Sequence, residues 1–240
     1  MSHGIHGDCS VALSVVVPAF NEEVQLESSI RSLRHALDIS GIAAEIVIIN
    51  DGSNDRTGPI AESLARELTE VRAFNQANQG IGGAFRAGAG HATGEYLMLW
   101  PADMPATPED LSPFVDRLAT ADVIVGCRRQ RVGYNPLMRL NAWLYPKLVW
   151  LLFGLRLRDV NWIHAYRRSK FLEIRLTQVG IPMLAEALVR LRDAGATFVE
   201  ADVVMKQRIG GVSSASRIRV MWLTLAGLFS FWNARRRETR

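Results

Sequence analysis

The stretch Glu45-Ile46-Val47-Ile48-Ile49-Asn50-Asp51-Gly52-Ser53-Asn54-Asp55 decides the fold. An apolar, mostly β-branched run ends abruptly in acidic and small polar residues. This pattern predicts a parallel strand buried on both faces that releases its side chains at the carboxyl edge of a sheet. In open α/β sheets, ligands bind outside that edge. Leu13-Ser14-Val15-Val16-Val17-Pro18-Ala19-Phe20-Asn21-Glu22-Glu23 and Tyr96-Leu97-Met98-Leu99-Trp100-Pro101-Ala102-Asp103 end the same way. Three strand ends thus deliver Asn21 and Glu22, Asp51, and Asp103 toward one polar, phosphorylated ligand.

Helical spacing fills the intervals. Leu26, Ile30, Leu33 and Leu37 share one face of a helix over 22–38, and Ile60, Leu64 and Leu68 one over 57–68, capped by Asn54 or Asp55. A short strand at 71–75, a small-residue helix at 80–90, a helix at 109–118 and a buried strand at 123–126 continue the alternation. Strand–helix alternation of this kind predicts an α/β fold with a doubly wound, mostly parallel sheet. After Gly133 the pattern changes. Residues 136–155 are rich in Leu and Trp, 182–194 read as a helix, 197–205 as a strand, and 218–232 are again apolar before a basic tail.

The 240 residues suit one α/β domain, and 48% hydrophobic content supplies its core. The net charge of +4 is clustered at Arg128, Arg129 and Arg131, at Arg156 and Arg158, at Arg167 and Arg168, and at Arg235, Arg236 and Arg237. Such clusters attract phosphates, anionic lipid heads or nucleic acid. No zinc-finger spacing or RNA-binding signature accompanies them, which argues against nucleic acid. Cys9 and Cys127 form no metal motif, and the chain reads as cytoplasmic and reduced. No segment reaches the roughly 20 apolar residues of a membrane span. Residues 1–11 are polar, unlike a signal peptide, and are expected to be a flexible start.

VVVPAFNEE, INDGSNDRT, NQGIGGA and the Ala102-Asp103 strand end together resemble the family 2 inverting glycosyltransferases, which have the GT-A fold. Within them the chain is most similar to the dolichol- or polyprenyl-phosphate hexosyltransferases. The similarity is strong over residues 12–112 and looser to 214. It implies a three-layer α/β/α GT-A domain over 12–214, with 215–240 as an amphipathic helical extension and basic tail. It further implies a nucleotide-sugar donor bound by Pro18, Ala19, Asn21, Glu22, Asp51, Gly52 and Ser53, with Asp51 reading the base. Asp51-Gly52-Ser53 can also serve merely as a turn and helix cap. Gly80-Ile81-Gly82-Gly83-Ala84 lacks the spacing of a dinucleotide fingerprint, so its small residues serve diphosphate approach or close helix packing.

The family carries Asp-x-Asp at the third strand end, often with Gln two residues later. Here Pro101-Ala102-Asp103-Met104-Pro105 retains only the second Asp. Asp103 then holds Mg²⁺ or Mn²⁺ with help from donor phosphates and waters. Alternatively, cations such as Arg208 carry the leaving-group charge, or the chain is an inactive homologue that binds without catalysis. Gln207-Arg208-Ile209-Gly210-Gly211-Val212-Ser213 resembles the family's R-x-x-G-x-S loop, which implies that Arg208 closes over the diphosphate.

Acceptor chemistry divides two readings. A hydroxyl needs a general base, whereas a lipid phosphate is already an anion and needs cations. Gly126-Cys127-Arg128 resembles the G-S-R of the polyprenyl-phosphate branch, and Arg139 falls at its second phosphate-binding Arg. Arg128, Arg129 and Arg131 can equally form a solvated charged turn. Asp159 to Arg168 resembles D-x-x-x-G-F-R-x-x-R-R with its centre changed to Ile-His-Ala-Tyr. Asp159 is the candidate base, or one half of a structural ion pair; Glu186 is a second candidate base. The expected reaction is inverting hexosyl transfer from a UDP- or GDP-sugar to a polyprenyl phosphate, with transfer to a glycan or lipid hydroxyl as the rival. The Trp-rich 137–155 and 220–232 stretches suit either peripheral contact with a membrane face or a homo-oligomer interface.

Overall fold

The computed structural model describes residues 11–129, 134–178, 180–204 and 218–238. Its strands are β1 (Leu13–Ala19), β2 (Ala44–Asp51), β3 (Val71–Gln76), β4 (Tyr96–Leu99), β5 (Val123–Arg128), β6 (His164–Arg167) and β7 (Phe198–Val203). They form one seven-stranded sheet in the order β3-β2-β1-β4-β6-β5-β7. β1 pairs in parallel with β2 and β4, β2 with β3, and β5 with β7. Only β6 is reversed, antiparallel to both β4 and β5. Two reversals cancel, so β5 points the same way as β4 and its carboxyl end lies on the same edge.

The helices are α1 (Leu26–Ser40), α2 (Thr57–Glu67), α3 (Gly80–His91), α4 (Pro108–Val115), α5 (Pro136–Phe153), α6 (Arg168–Glu173), α7 (Pro182–Asp193) and α8 (Ile218–Glu238). Strand alternation divides the core in two. Val15, Val17, Ile46 and Ile48 face α1, α2 and α4 with Leu26, Ile30, Leu33, Leu64 and Phe114. Val16, Val47, Ile49 and Leu97 face the opposite layer, with Phe85, Val149, Phe171, Leu188 and Leu228. The result is the expected three-layer α/β/α arrangement. Each such buried aliphatic side chain contributes about 1.5–3 kcal/mol relative to exposure. β2 is apolar on both faces because both layers cover it.

The glycine-rich α3 lies directly on the sheet. A Cβ on Gly88 would sit 2.2 Å from Val16 Cγ1, so the absent side chain sets the helix–sheet distance. α8 docks on α7 in the same manner: a Cβ on Gly227 would meet Pro182 Cγ at 2.6 Å, and Arg235 pairs with Asp193 at 2.7 Å. Among the described residues no helix is long and apolar enough to cross a membrane.

Candidate functional site

The chain leaves β1 through Asn21, whose φ of 56° lies in the left-handed region that Asn tolerates. That turn is tied to the one after β2. Asn21 N–H donates to Ser53 Oγ at 3.0 Å, and Asn54 N–H donates to Asn21 Oδ1 at 2.9 Å. Glu22 N–H donates to Thr57 Oγ1 at 2.8 Å. Asp55 in turn accepts from Thr57 N–H and from Glu23 N–H. Burial pushes the Asp55 carboxyl up, but its hydrogen bonds to Thr57 and Glu23 outweigh that and hold it below the ordinary carboxylate range. Pro18 is half-buried, whereas Ala19, expected to line the donor site, is sealed in the core. Gly52 has φ 74°, and a Cβ there would meet Asn78 N at 2.8 Å.

Asp51 is only 3% exposed. Its Oδ1 accepts from Gln76 Nε2 at 2.6 Å and from Gln79 N–H at 2.8 Å. Oδ2 meets no donor among the described residues and is not enclosed. Gln76 owes its place to register, because Asp51 and Gln76 are direct partners across β2 and β3.

Asp103 follows β4 in a loop pinned by its neighbours. Trp100 Nε1 donates to Met104 O at 2.7 Å, Met104 N–H donates to Pro101 O at 3.3 Å, and Ala102 is buried. β2 and β4 flank β1 on either side and run parallel to it, so Asp51 and Asp103 leave the same edge about two strand spacings apart, roughly 10 Å. Chain order reverses direction between β1 and β4, which makes this the topological switch point of the sheet. Among the described residues no group of three or more potential metal ligands occurs. One carboxylate such as Asp103 fits a hard cation, which takes one or two carboxylates plus phosphates and waters.

Two more spacings along the edge lies Arg128, at the end of β5. Its Nε and Nη2 donate to both oxygens of Asp159 at 2.7 and 2.9 Å. Nη1 donates to Tyr134 Oη at 2.7 Å and Nη2 to Asn161 O at 3.2 Å. The Trp162 ring lies 4.7 Å from the guanidinium carbon. Side-chain exposures are only 6% for Arg128 and 3% for Asp159. Burial works against the Arg128 charge, yet the hydrogen bonds and charge of Asp159 prevail and raise its pKa. The pair borders a cleft lined also by Met138, Asn141, Tyr145 and Thr224. The Tyr145 hydroxyl there is enclosed with no partner among the described residues. Arg139 is exposed one turn into α5, its Nε donating to Tyr134 O at 3.2 Å.

The reversal of β6 separates residues that the sequence groups together. Asp159 precedes β6 and reaches the carboxyl edge. Arg167 ends β6 opposite Tyr96, at the amino edge, where it pairs with Glu95 and with Asp122. His164 is fully buried with both ring nitrogens unpartnered among the described residues, and burial depresses its pKa to about 4. Glu186 is also fully buried. It accepts from Thr177 N–H and Oγ1, Gln178 N–H and Arg190 Nε. Arg208, with the R-x-x-G-x-S loop, lies outside the described residues, as does most of the 1–11 segment. Gln76, Tyr134 and Trp162 were missed by sequence reasoning. Polar Asn75 and Gln76 closing the β3 run were the available signal for the first.

A mostly parallel α/β sheet with carboxylates leaving its edge at the switch point is an α/β scaffold of GT-A type. The family model described as Glycosyl transferase family 2 matches residues 14–184, and the chain belongs to that family. It is 29% identical over 215 residues to an undecaprenyl-phosphate 4-deoxy-4-formamido-L-arabinose transferase of Pseudomonas paraeruginosa, covering 87% of this chain and 62% of the relative. The chain thus spans about three fifths of the length of such relatives. An undecaprenyl-phosphate mannosyltransferase of Micrococcus luteus is 28% identical, over 92% of this chain and 96% of its own. Among solved structures, glucosyl-3-phosphoglycerate synthase from Mycobacterium tuberculosis, in complex with Mn²⁺, UDP and phosphoglyceric acid, superposes with a TM-score of 0.71 at 18% identity. That match covers 92% of this chain and 78% of the other, and it bears out the GT-A-like fold.

Proposed function

We propose that the chain transfers a hexose from a nucleotide sugar to a polyprenyl phosphate with inversion. The observation that carries this choice of acceptor is the state of the two candidate bases. Both oxygens of Asp159 take N–H groups of Arg128, and Glu186 is buried under donors from Thr177, Gln178 and Arg190. A hydroxyl acceptor needs a base within hydrogen-bond reach; a phosphate acceptor needs none.

In this reading Asp51 receives the base of the donor, and Pro18, Asn21, Glu22 and the Gly52-Ser53 turn border its nucleoside. Asp103 faces the diphosphate and would hold Mg²⁺ or Mn²⁺, which would offset charge on the leaving nucleoside diphosphate. Exposed Arg139 takes the acceptor phosphate. Arg128 borders the cleft beside Tyr134 and Tyr145 while Asp159 and Trp162 fix its plane; among the described residues, four N–H bonds to protein atoms leave one of its five donors for a ligand. Arg208 retains its diphosphate role on the sequence motif alone. The phosphate oxygen attacks the anomeric carbon from the side opposite the departing diphosphate.

The outer face of α5 supports peripheral membrane contact, where such an acceptor resides. Trp143, Trp150 and Leu151 are 56%, 53% and 77% exposed, and Lys147 and Arg156 lie over the two indole rings. Trp at headgroup level beside cations is the composition of an interfacial helix.

The test is incubation of purified protein with labelled UDP- and GDP-sugars, Mg²⁺ or Mn²⁺, and short polyprenyl phosphates. Lipid-extractable label, lost in Asp103→Asn, is the expected result. Label appearing only on hydroxyl acceptors would overturn the acceptor assignment. Nucleotide binding without turnover under any pairing would overturn the catalytic one.

A further inference from the structure

Asp51 approaches a ligand with one oxygen rather than two. A carboxylate oxygen has two in-plane lone pairs. Those of Oδ1 are taken by Gln76 Nε2 at 2.6 Å and by Gln79 N–H at 2.8 Å. Oδ2 has no donor among the described residues and keeps accessible surface, although the residue is 97% buried overall. The Gln76 amide carries a second N–H, which meets no acceptor among the described residues. The site therefore offers one acceptor, with one donor on the group that occupies the other oxygen.

The two nucleobases make different demands. Guanine presents two adjacent donors, N1–H and the N2 amino group, which together match both oxygens of a carboxylate. Uracil presents a single donor, N3–H, flanked by two carbonyl acceptors. Oδ2 can receive N3–H while the Gln76 N–H meets a flanking carbonyl, so the uracil edge is answered. Guanine can place N1–H on Oδ2, but then either its amino group faces Oδ1, whose lone pairs are filled, or, with the base turned over so that O6 meets the Gln76 N–H, the amino group points away from the carboxylate and gains no partner from it. A donor left without its partner weakens binding, and one bidentate pair to a base edge discriminates by roughly tenfold or more.

We propose that the donor is a uridine nucleotide and that Gln76, by occupying Oδ1, is the residue that selects against guanosine. This rests on the reading of Asp51 as the base-contacting residue. Gln76 is a specificity residue here, acting both through Asp51 and through its own second N–H. The assignment follows from the β2–β3 register, which sets Gln76 directly across from Asp51.

The experiment is calorimetric titration of the full chain with UDP and with GDP in Mg²⁺, comparing wild type, Gln76→Leu and Asp51→Asn. Wild type is expected to bind UDP roughly tenfold more tightly than GDP. Gln76→Leu frees a lone pair of Oδ1 and removes the second N–H, so the ratio narrows to about threefold or less, with GDP gaining. Asp51→Asn weakens both nucleotides. Equal or tighter GDP binding by wild type overturns the proposal, as does an unchanged ratio in Gln76→Leu. Loss of affinity in Asp51→Asn without a UDP preference sinks only the uridine assignment. Unaltered affinity in Asp51→Asn sinks the reading of Asp51 and the proposal with it. Should Gln76→Leu fail to fold, Gln76→Ala carries the same expectation, and the wild-type ratio by itself decides the uridine assignment.

Discussion

Asp159→Asn removes the anion from a guanidinium that has no other ion pair among the described residues. Arg128 donates to both Asp159 oxygens at 2.7 and 2.9 Å, and the side chains are 6% and 3% exposed. An amide in place of the carboxylate keeps the shape but leaves a buried positive charge uncompensated. Breaking a buried pair from one side costs about 3–5 kcal/mol. A domain of this size loses about 2–4 °C of Tm per kcal/mol, so the fall should be about 6–20 °C. The assay is urea and thermal unfolding of Asp159→Asn, of Arg128→Met, and of Arg128→Met combined with Asp159→Leu. The apolar double replacement should cost less than Asp159→Asn alone, because neither charge then remains to be desolvated. A cost for Asp159→Asn under about 1 kcal/mol, the range of an exposed pair, would refute the reasoning. The same variant bears on the chemistry. A loss of about a hundredfold or more per folded molecule, the size expected for a missing general base, would reinstate Asp159 as the base.

His164 should make the fold acid-sensitive. Its folded pKa of about 4 lies below the ordinary 6.5, so its contribution is complete above pH 6.5 and disappears as pH falls toward 4. At about 1.4 kcal/mol per pH unit that amounts to about 3 kcal/mol; urea midpoints at pH 7 and 4.5 should differ less in His164→Phe than in wild type. Gly88→Ala should destabilise by about 1–3 kcal/mol, because the new methyl meets Val16 at 2.2 Å. Gly90→Ala in the same helix, with nothing within 4 Å of its Cβ, should be neutral or stabilising by up to about 1 kcal/mol; an equal cost at both positions in chemical denaturation would contradict the packing argument. Trp143→Ala with Trp150→Ala should abolish co-sedimentation with anionic vesicles while leaving UDP binding intact; unchanged sedimentation would assign this face to something other than a bilayer.

The carboxyl edge was legible because its signals are local. Apolar runs that stop at Asn21, Asp51 and Asp103 identify β1, β2 and β4 without knowledge of their neighbours, and Leu26-Ile30-Leu33-Leu37 declares the helix between the first two. The resemblance of these same motifs to family 2 is borne out over residues 14–184. The reversed β6 was not legible. Its four residues, His164 to Arg167, are too short for a period and sit inside the Asp159–Arg168 motif, which carries no strand pattern. Pairing between β4 and β5, rather than any property of the segment, makes it a strand.

From sequence alone come the mostly parallel sheet, the three acidic strand ends and the placing of a basic cluster after β5, since each depends on residue type and spacing along one segment. Tertiary structure alone decided which of those groups remain open to a ligand. It joined Arg128 to Asp159, buried Glu186 and His164, sent Arg167 to the opposite edge and filled one oxygen of Asp51 with Gln76. Hydrogen-bond saturation and desolvation depend on partners distant in the chain, and periodicity carries no record of them.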